Sequence, residues 1–353
     1  ANDNRPEGLP RISTKTIDTG GTGFKKPVRY AGNSSFSIVA DRGAFPPAGN
    51  QAFKEGSISV KTAASSVEIS GWVDDASRSS KFAAVDVVED ELKSLPRDFA
   101  EELDRILLGW GYGILGQLNG DPGAGTTLTM DNALGTKNAT VNGTKYLKEG
   151  MYIEAYNTSG VKHGDSNKIT AIPTSLTATI LNACHAAWET NDWICRADSY
   201  ANGEPNGLLA IVDDYVNATY GYVDTIQGVA RSSYNHMKAY VNRNNSVLRA
   251  YSTLLLQSCL DSIADSTYRE TEMLLTTRGV RRAMLETMLA YKSFEAPWEM
   301  DGGFSVVRFN GMPVYVHPKV MDGTLFGLIP SEFIMLQMGD PHFRESGAGE
   351  AVL

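Results

Sequence analysis

The chain has 353 residues, 42% of them hydrophobic and 21% charged, with a formal net charge of −9. These are globular proportions in a chain long enough for two or more subdomains, since single cores stop growing at about 250–300 residues. The acidic balance argues against a dedicated nucleic-acid binder, which carries a basic footprint, but leaves room for nucleic acid near one face. Three cysteines, Cys184, Cys195 and Cys259, form no close pair, so a reducing compartment is expected rather than a disulfide framework. No apolar run approaches the roughly 18 residues of a membrane span. The polar stretch Ala1 to Arg11 lacks a signal-peptide pattern, and a start at Ala1 implies a removed initiator or a cleaved leader.

Residues 1–50 are rich in Gly and Pro and poor in periodic apolar positions, so they cannot fold alone. Their irregularly spaced aromatics, Phe24, Tyr30, Phe36 and Phe45, suit an arm laid over another surface. Residues 53–75 alternate at Ile58 and Val60, then at Val67 and Ile69, with polar Lys61 to Ser66 between them. This predicts an extended two-stranded ribbon, barely stable without a partner surface.

Val85, Val88 and Leu92 predict a short helix that Pro96 ends, because the residue before proline is biased away from the helical well. A second, longer helix starts there, with Phe99, Leu103, Ile106, Leu107, Trp110 and Ile114 as its apolar stripe. Asp98, Glu101, Glu102 and Asp104 fall on the opposite face and in the first turns, where acids suit the helix dipole. Gly109, Gly111, Gly113 and Gly116 weaken its end.

Residues 119–206 alternate short apolar runs (Leu128 to Met130, Met151 to Tyr156, Lys168 to Ile172, Leu176 to Leu181, Trp193 to Cys195) with turn signals such as Asn119-Gly120 and Asn142-Gly143. They predict a β-rich subdomain, a small barrel or an inserted sheet. Beyond Asn206-Gly207 the pattern is mixed. A short helix or turn is expected over Leu208 to Val212, and helices over Ser232 to Val241 and Ser246 to Ile263. From Thr271 a strand over Met273 to Leu275 precedes an amphipathic helix through Arg281, Met284, Leu285, Met288 and Leu289. A hairpin follows, Phe304 to Phe309 and Met312 to Val316, closed by Asn310-Gly311, then apolar runs at Leu325 to Ile329 and Phe333 to Met338.

Chemistry is hard to place on this chain. Its five histidines make no i, i+4 pair, and Cys184-His185 with Cys195 lacks the two close pairs of structural zinc, so buried thiols are the expectation. The run Gly109, Gly111, Gly113 ends a helix instead of joining a strand to one, which fails the dinucleotide test, and no GxSxG elbow occurs. Asp213-Asp214 and Asp74-Asp75 are acid pairs that could bind a cation, but such pairs are more often solvated turns or helix starts. Arg278, Arg281 and Arg282 form the densest basic cluster, a solvated helix face or an intersubunit ion-pair site. No catalytic residue, cofactor or metal is expected. A long arm, an unsupported ribbon and no site suit a chain built to contact copies of itself.

The order of parts resembles the major capsid proteins of tailed double-stranded DNA bacteriophages, with the Hong Kong 97-type fold. The resemblance rests on Phe53-Lys54-Glu55-Gly56 leading into the ribbon, the spine-like helix from Asp98 to Ile114, and Glu204-Pro205-Asn206-Gly207-Leu208-Leu209 before Ile211-Val212-Asp213. It rests also on Met273-Leu274-Leu275 with its helix, and on Gly303-Phe304 through Phe309-Asn310-Gly311-Met312-Pro313-Val314. It covers nearly the whole chain, and the order of these degenerate motifs carries it.

The resemblance implies an α+β capsid fold: an N-terminal arm (1–50), an extended loop (51–80), a spine helix (81–120), a β-rich part of the peripheral domain or an inserted subdomain (121–206), an axial domain (207–300) and closing strands shared by both domains (301–353). It implies a non-enzymatic virion protein that assembles in the host cytoplasm as pentamers and hexamers into an icosahedral shell around double-stranded DNA, bound without sequence specificity. Its other partners would be a scaffolding protein, a portal and a decoration protein, with no membrane. No helical scaffold segment precedes residue 50, which implies a processed form or a separate scaffolding protein. Expected intersubunit contacts are Phe36, Phe45, Phe53, Lys54, Glu55, Lys61, Glu68, Trp72, Arg78, Arg278, Arg281 and Arg282. Lys54 or Lys61 is placed to offer an amine for a Lys–Asn cross-link, but no Asn follows Asn310, so none is expected. An encapsulin-like nanocompartment shell, another virion structural protein and a β-rich hydrolase are the competing readings.

Overall fold

The computed structural model describes residues 13–16, 23–67, 87–134, 142–214, 225–242, 244, 248–291, 307–339 and 341–342. Among these, strand β1 (Ser13–Thr16) pairs in parallel with β16 (Ile334–Gln337). Strands β2 (Gly23–Ala31) and β3 (Ala52–Ser59) form an antiparallel ribbon, in register from Gly23 opposite Ser59 to Arg29 opposite Phe53, with a bulge before Ala31 opposite Ala52. The expected ribbon is thus corrected as far as Val67, while Ile69 and the rest of its second half lie outside the described residues. Ile58 lies in a strand, but that strand pairs upstream with Phe24, while Val60 to Val67 is irregular. Strand β2 escapes a reading by periodicity because it carries Pro27 and little apolar mass, both tolerated where the outer edges are free.

Helix α1 runs unbroken from Val87 to Leu108 with Pro96 inside it. Pro96 forfeits the bond to the Leu92 carbonyl, and Leu92 lies on an exposed side where solvent can take that carbonyl. The helix therefore neither restarts at Pro96 nor reaches Ile114. Gly111 and Gly113 sit at φ +93° and +69°, outside helical space, and Ile114 opens a strand.

That strand begins a closed six-stranded barrel of β4 (Ile114–Leu118), β5 (Thr127–Ala133), β6 (Tyr152–Tyr156), β7 (Lys162–Ala171), β8 (Thr177–Ile180) and β9 (Trp193–Arg196), in the order β4-β5-β8-β7-β6-β9. Every pair is antiparallel. Alternate residues fill the interior, including Leu128, Met130, Ile153, Ala155, Ile169, Ala178 and Ile180.

Short helices α2 (Ser199–Asn202) and α3 (Leu208–Ile211) follow, then a small hairpin, β10 (Thr225–Ile226) with β11 (Val229–Ala230). No helix forms over Ser232 to Val241, where a single 3-10 turn spans Asn235–Met237. Buried Arg231 organises this stretch by donating to the carbonyls of Ala210, Ile211 and Met237. Helix α4 covers Thr253–Thr267, starting seven residues after Ser246, with extended Ser252 at its N-cap.

A mixed four-stranded sheet completes the fold, in the order β13 (Arg308–Phe309), β14 (Met312–Val316), β12 (Met273–Thr276), β15 (Leu325–Leu328). Strands β12 and β14 are parallel, with helix α5 (Arg278–Tyr291) between them in sequence. Asn310 and Gly311 at φ +47° and +78° make the tight β13–β14 turn that favours this pair of residues. Alternation along β12 splits the core. Met273 and Leu275 join the hydrophobic cluster of the barrel, while Leu274 joins Leu256, Leu260, Met284 and Val314 beneath α4 and α5. Among the described residues no helix is long and apolar enough to cross a membrane.

Candidate assembly surfaces

The body of the protein is tied together by charge around α1. Buried Arg105 donates to both oxygens of Glu204, at 2.6 and 3.2 Å, and through Nε to Glu102 at 2.9 Å. Glu102 also meets Arg196 of β9 at 2.7 Å. Glu101 meets Lys148 and Lys319 at 2.6 and 3.0 Å, and Asp104 lies 3.2 Å from the His317 ring. Glu101, Glu102 and Asp104 therefore lie well past the first turn of α1, and they clamp the helix to the barrel side and to the segment after β14. Only Asp98 of the four is exposed without such a clamp. Burial alone would raise the Glu102 pKa, but Arg105, Arg196 and Lys148 outweigh it and hold it low. Hydrogen bonds from Lys148 and Lys319 lower the Glu101 carboxyl to about 2.

Glu204-Pro205-Asn206-Gly207 closes the same joint. A Cβ on Gly207 would stand 2.3 Å from the Ile106 carbonyl oxygen and 2.5 Å from that of Gly109, so glycine lets α3 seat against the end of α1. Leu208 and Leu209 then enter the main core. Asp213, expected in a solvated turn, is buried 3.9 Å from the Arg231 guanidinium.

The ribbon lies outside this body. Most residues of β2 and β3 are exposed, as is the connection 32–51, where Phe36, Ile38 and Phe45 are 91%, 92% and 91% exposed. Its attachment is narrow. The Ser57 amide donates to the Gln227 carbonyl at 2.7 Å, and Gly228, at φ +77° in the β10–β11 turn, presses against Ser57. Tyr30 meets Tyr234 edge-on at 5.1 Å and stacks on His236.

The expected contact residues divide accordingly. Phe53, Lys54 and Glu55 lie on β3 and are exposed, with Glu55 reaching across the ribbon to Lys25 at 2.6 Å. That bond raises the Lys25 pKa but, fully in solvent, does little for stability. Phe36 and Phe45 stand on the connection. Lys61 is drawn back to the body, donating to the Asn202 carbonyl at 2.6 Å. Glu68, Trp72 and Arg78 lie outside the described residues. The three arginines are far in sequence from the ribbon on α5, where Arg278 and Arg282 are exposed and Arg281 is half-buried with Nε lacking a hydrogen-bond partner. Sequence reasoning missed Ile38, although its two-residue spacing from Phe36 was a usable signal. It also missed Tyr268, which ends α4 at φ +56° and is almost fully exposed.

No arrangement for catalysis emerges from the described side chains. The closest His–carboxylate pair among the described residues, His163 Nδ1 and Asp192 Oδ2 at 2.7 Å, is fixed in the barrel wall, where the Glu189 amide also donates to Asp192. Cys184 and Cys195 are buried and free, and burial pushes both thiols up. Among the described residues no three His, Cys, Asp or Glu side chains gather as metal ligands.

No protein-family model matches the chain, and no curated protein matches it. Among solved structures, the chain is similar to the cyanophage A-1(L) capsid asymmetric unit, with a TM-score of 0.56 and 10% identity, over 95% of this chain and 73% of that one. At that identity the likeness is one of fold, and it extends over nearly the whole length of a chain from whose body an exposed ribbon projects.

Proposed function

We propose that this chain is a major capsid protein of a tailed double-stranded DNA phage, of Hong Kong 97 type, that self-assembles into an icosahedral shell around the genome. The observation that carries this reading is the exposed ribbon at Gly23–Ser59 on a fold shared with a phage capsid subunit. A two-stranded ribbon is marginal in water, and its apolar connection is a liability on a monomer, so a neighbouring subunit is its natural cover. In this reading the extended loop is 23–59, α1 is the spine, the barrel is an elaboration of the peripheral domain, and 207–300 contributes the axial domain. Phe36, Phe45, Phe53, Lys54 and Glu55 contact the next subunit from the loop, with Glu68, Trp72 and Arg78 in the chain that follows. Arg278, Arg281 and Arg282 contact it from α5. Pentamers and hexamers, a scaffolding protein, a portal and a decoration protein are the partners. No covalent cross-link is part of this reading, so the shell is stabilised by many repeated contacts.

The test is the content of particles recovered with the chain. Nuclease-protected double-stranded DNA, or empty shells able to take it up with a portal, supports the phage reading. Shells that hold only a protein cargo contradict it in favour of a nanocompartment.

A further inference from the structure

A groove of about 620 Å³ opens between α4, the start of α5, residues 240–242 and 248–252, and the turn 321–324. Its walls are largely apolar, with Leu255, Cys259, Val280 and Met321 among them, and Tyr240 and Leu248 at its margin remain about two-fifths exposed. The Tyr251 hydroxyl in its wall has no hydrogen-bond partner among the described residues. Arg249, also lining it, hydrogen-bonds the neutral Asn242 amide, and among the described residues it meets no carboxylate.

The connection 32–51 offers the matching surface. It turns back at Ala40 to Gly43, where the Gly43 amide donates to the Ala40 carbonyl at 2.8 Å and Arg42 takes φ +63°. Ile38 and Phe45 stand on either side of this turn, and exposed Asp41 lies at its apex. Among the described residues of one chain, nothing covers these apolar side chains. We infer that the turn 36–45 of one copy seats in this groove beside α4 of the next, with Ile38 and Phe45 entering the apolar part and Asp41 facing Arg249. The inference rests on the shell-forming reading and names the receiving surface.

Physical estimates fit a contact that works by repetition. An aromatic side chain buries about 150–250 Å², so Phe36, Ile38 and Phe45 together cover roughly 500 Å², less than the ~800 Å² per partner of a stable pairwise interface. One such contact is weak in isolation. A projecting element that fits a groove elsewhere on the same molecule is a head-to-tail contact, and such contacts close into rings when the rotation allows.

Cys259 reports on the groove directly. In wild-type shells its alkylation by a maleimide is expected to slow about tenfold or more relative to the unassembled chain. In shells of Phe45→Cys, mild oxidation with diamide, which takes up the two electrons and two protons, is expected to join the introduced thiol to Cys259 of another copy. The product is a ladder of linked chains that Cys259→Ser abolishes. The pair Asp41→Arg and Arg249→Asp should each impair assembly and restore it together. Shells in which Cys259 alkylates at the unassembled rate, and in which the introduced thiol forms no bond to Cys259, overturn the groove but leave the shell reading intact. If Phe45→Cys fails to assemble, the wild-type alkylation rate decides. A wild-type chain that never assembles overturns both.

Discussion

Arg105 and Glu204, 99 positions apart, meet through two parallel hydrogen bonds in a place where the arginine side chain is 3% exposed. The pair joins the end of α1 to the turn that launches α3. Removing one partner strands a buried charge, which costs about 3–5 kcal/mol. Arg105→Met is therefore expected to lower the unfolding free energy by that order in urea titration. The double variant Arg105→Met with Glu204→Leu should be less destabilised than Arg105→Met alone, because no charge is left unpaired. Equal or greater loss in the double variant contradicts this account of the joint.

Two glycines separate crowding from backbone strain. Gly207 has an ordinary φ of −85°, so its sensitivity is wholly one of space. Gly207→Ala must push apart backbone atoms of Ile106 and Gly109 and should cost more than about 3 kcal/mol. Gly120 sits at φ +90° with nothing within 4 Å of where a Cβ would stand, so Gly120→Ala should cost only about 1–2 kcal/mol. Thermal unfolding of both variants measures the order, and a reversal contradicts the packing described.

Acid should loosen the α1 clamp. The Glu101 pKa falls to about 2 in the folded chain from an ordinary 4.5, so its stabilisation is present above pH 4.5 and is lost as pH falls from 4.5 towards 2. The side chain is 45% exposed, so solvent screening cuts the contribution to about 1 kcal/mol or less. Glu101→Gln is expected to lose that amount at pH 7 and to show a shallower stability loss between pH 4.5 and 2. An unchanged acid limb in the variant contradicts the role of Lys148 and Lys319.

Phe36→Ser with Phe45→Ser should separate folding from assembly. Both side chains are over 90% exposed, so unfolding of the unassembled chain should shift by less than about 0.5 kcal/mol. Assembly yield should fall sharply. Full assembly of the double variant contradicts a contact role for the connection.

Much of the architecture was legible because it rests on alternation and turn chemistry. The strands at Leu128, Met151, Lys168, Leu176 and Trp193, the β12–α5 unit and the Asn310-Gly311 turn all form where those signals place them. The partner of β3 was not legible, because β2 is a polar, proline-bearing strand whose pairing is set by register across the whole 32–51 connection. The acids of α1 misled because the same Glu101, Glu102 and Asp104 suit a dipole argument and a buried ion network, and only the positions of Lys148, Arg196 and Lys319 distinguish them. Arg231 carried no local signal, since its closest hydrogen-bond acceptors are backbone carbonyls distant in sequence, Ala210 and Ile211. The exposure of Phe36 and Phe45 follows the irregular, Gly- and Pro-rich composition around them, whereas the groove beside α4 is assembled from separate segments and has no signature in the sequence.

The most direct test of the shell-forming reading is particle size, by sedimentation and negative-stain microscopy of the purified chain with and without a scaffolding partner. The account predicts closed shells, or rings of five and six subunits. A stable monomer or dimer under every condition would contradict it.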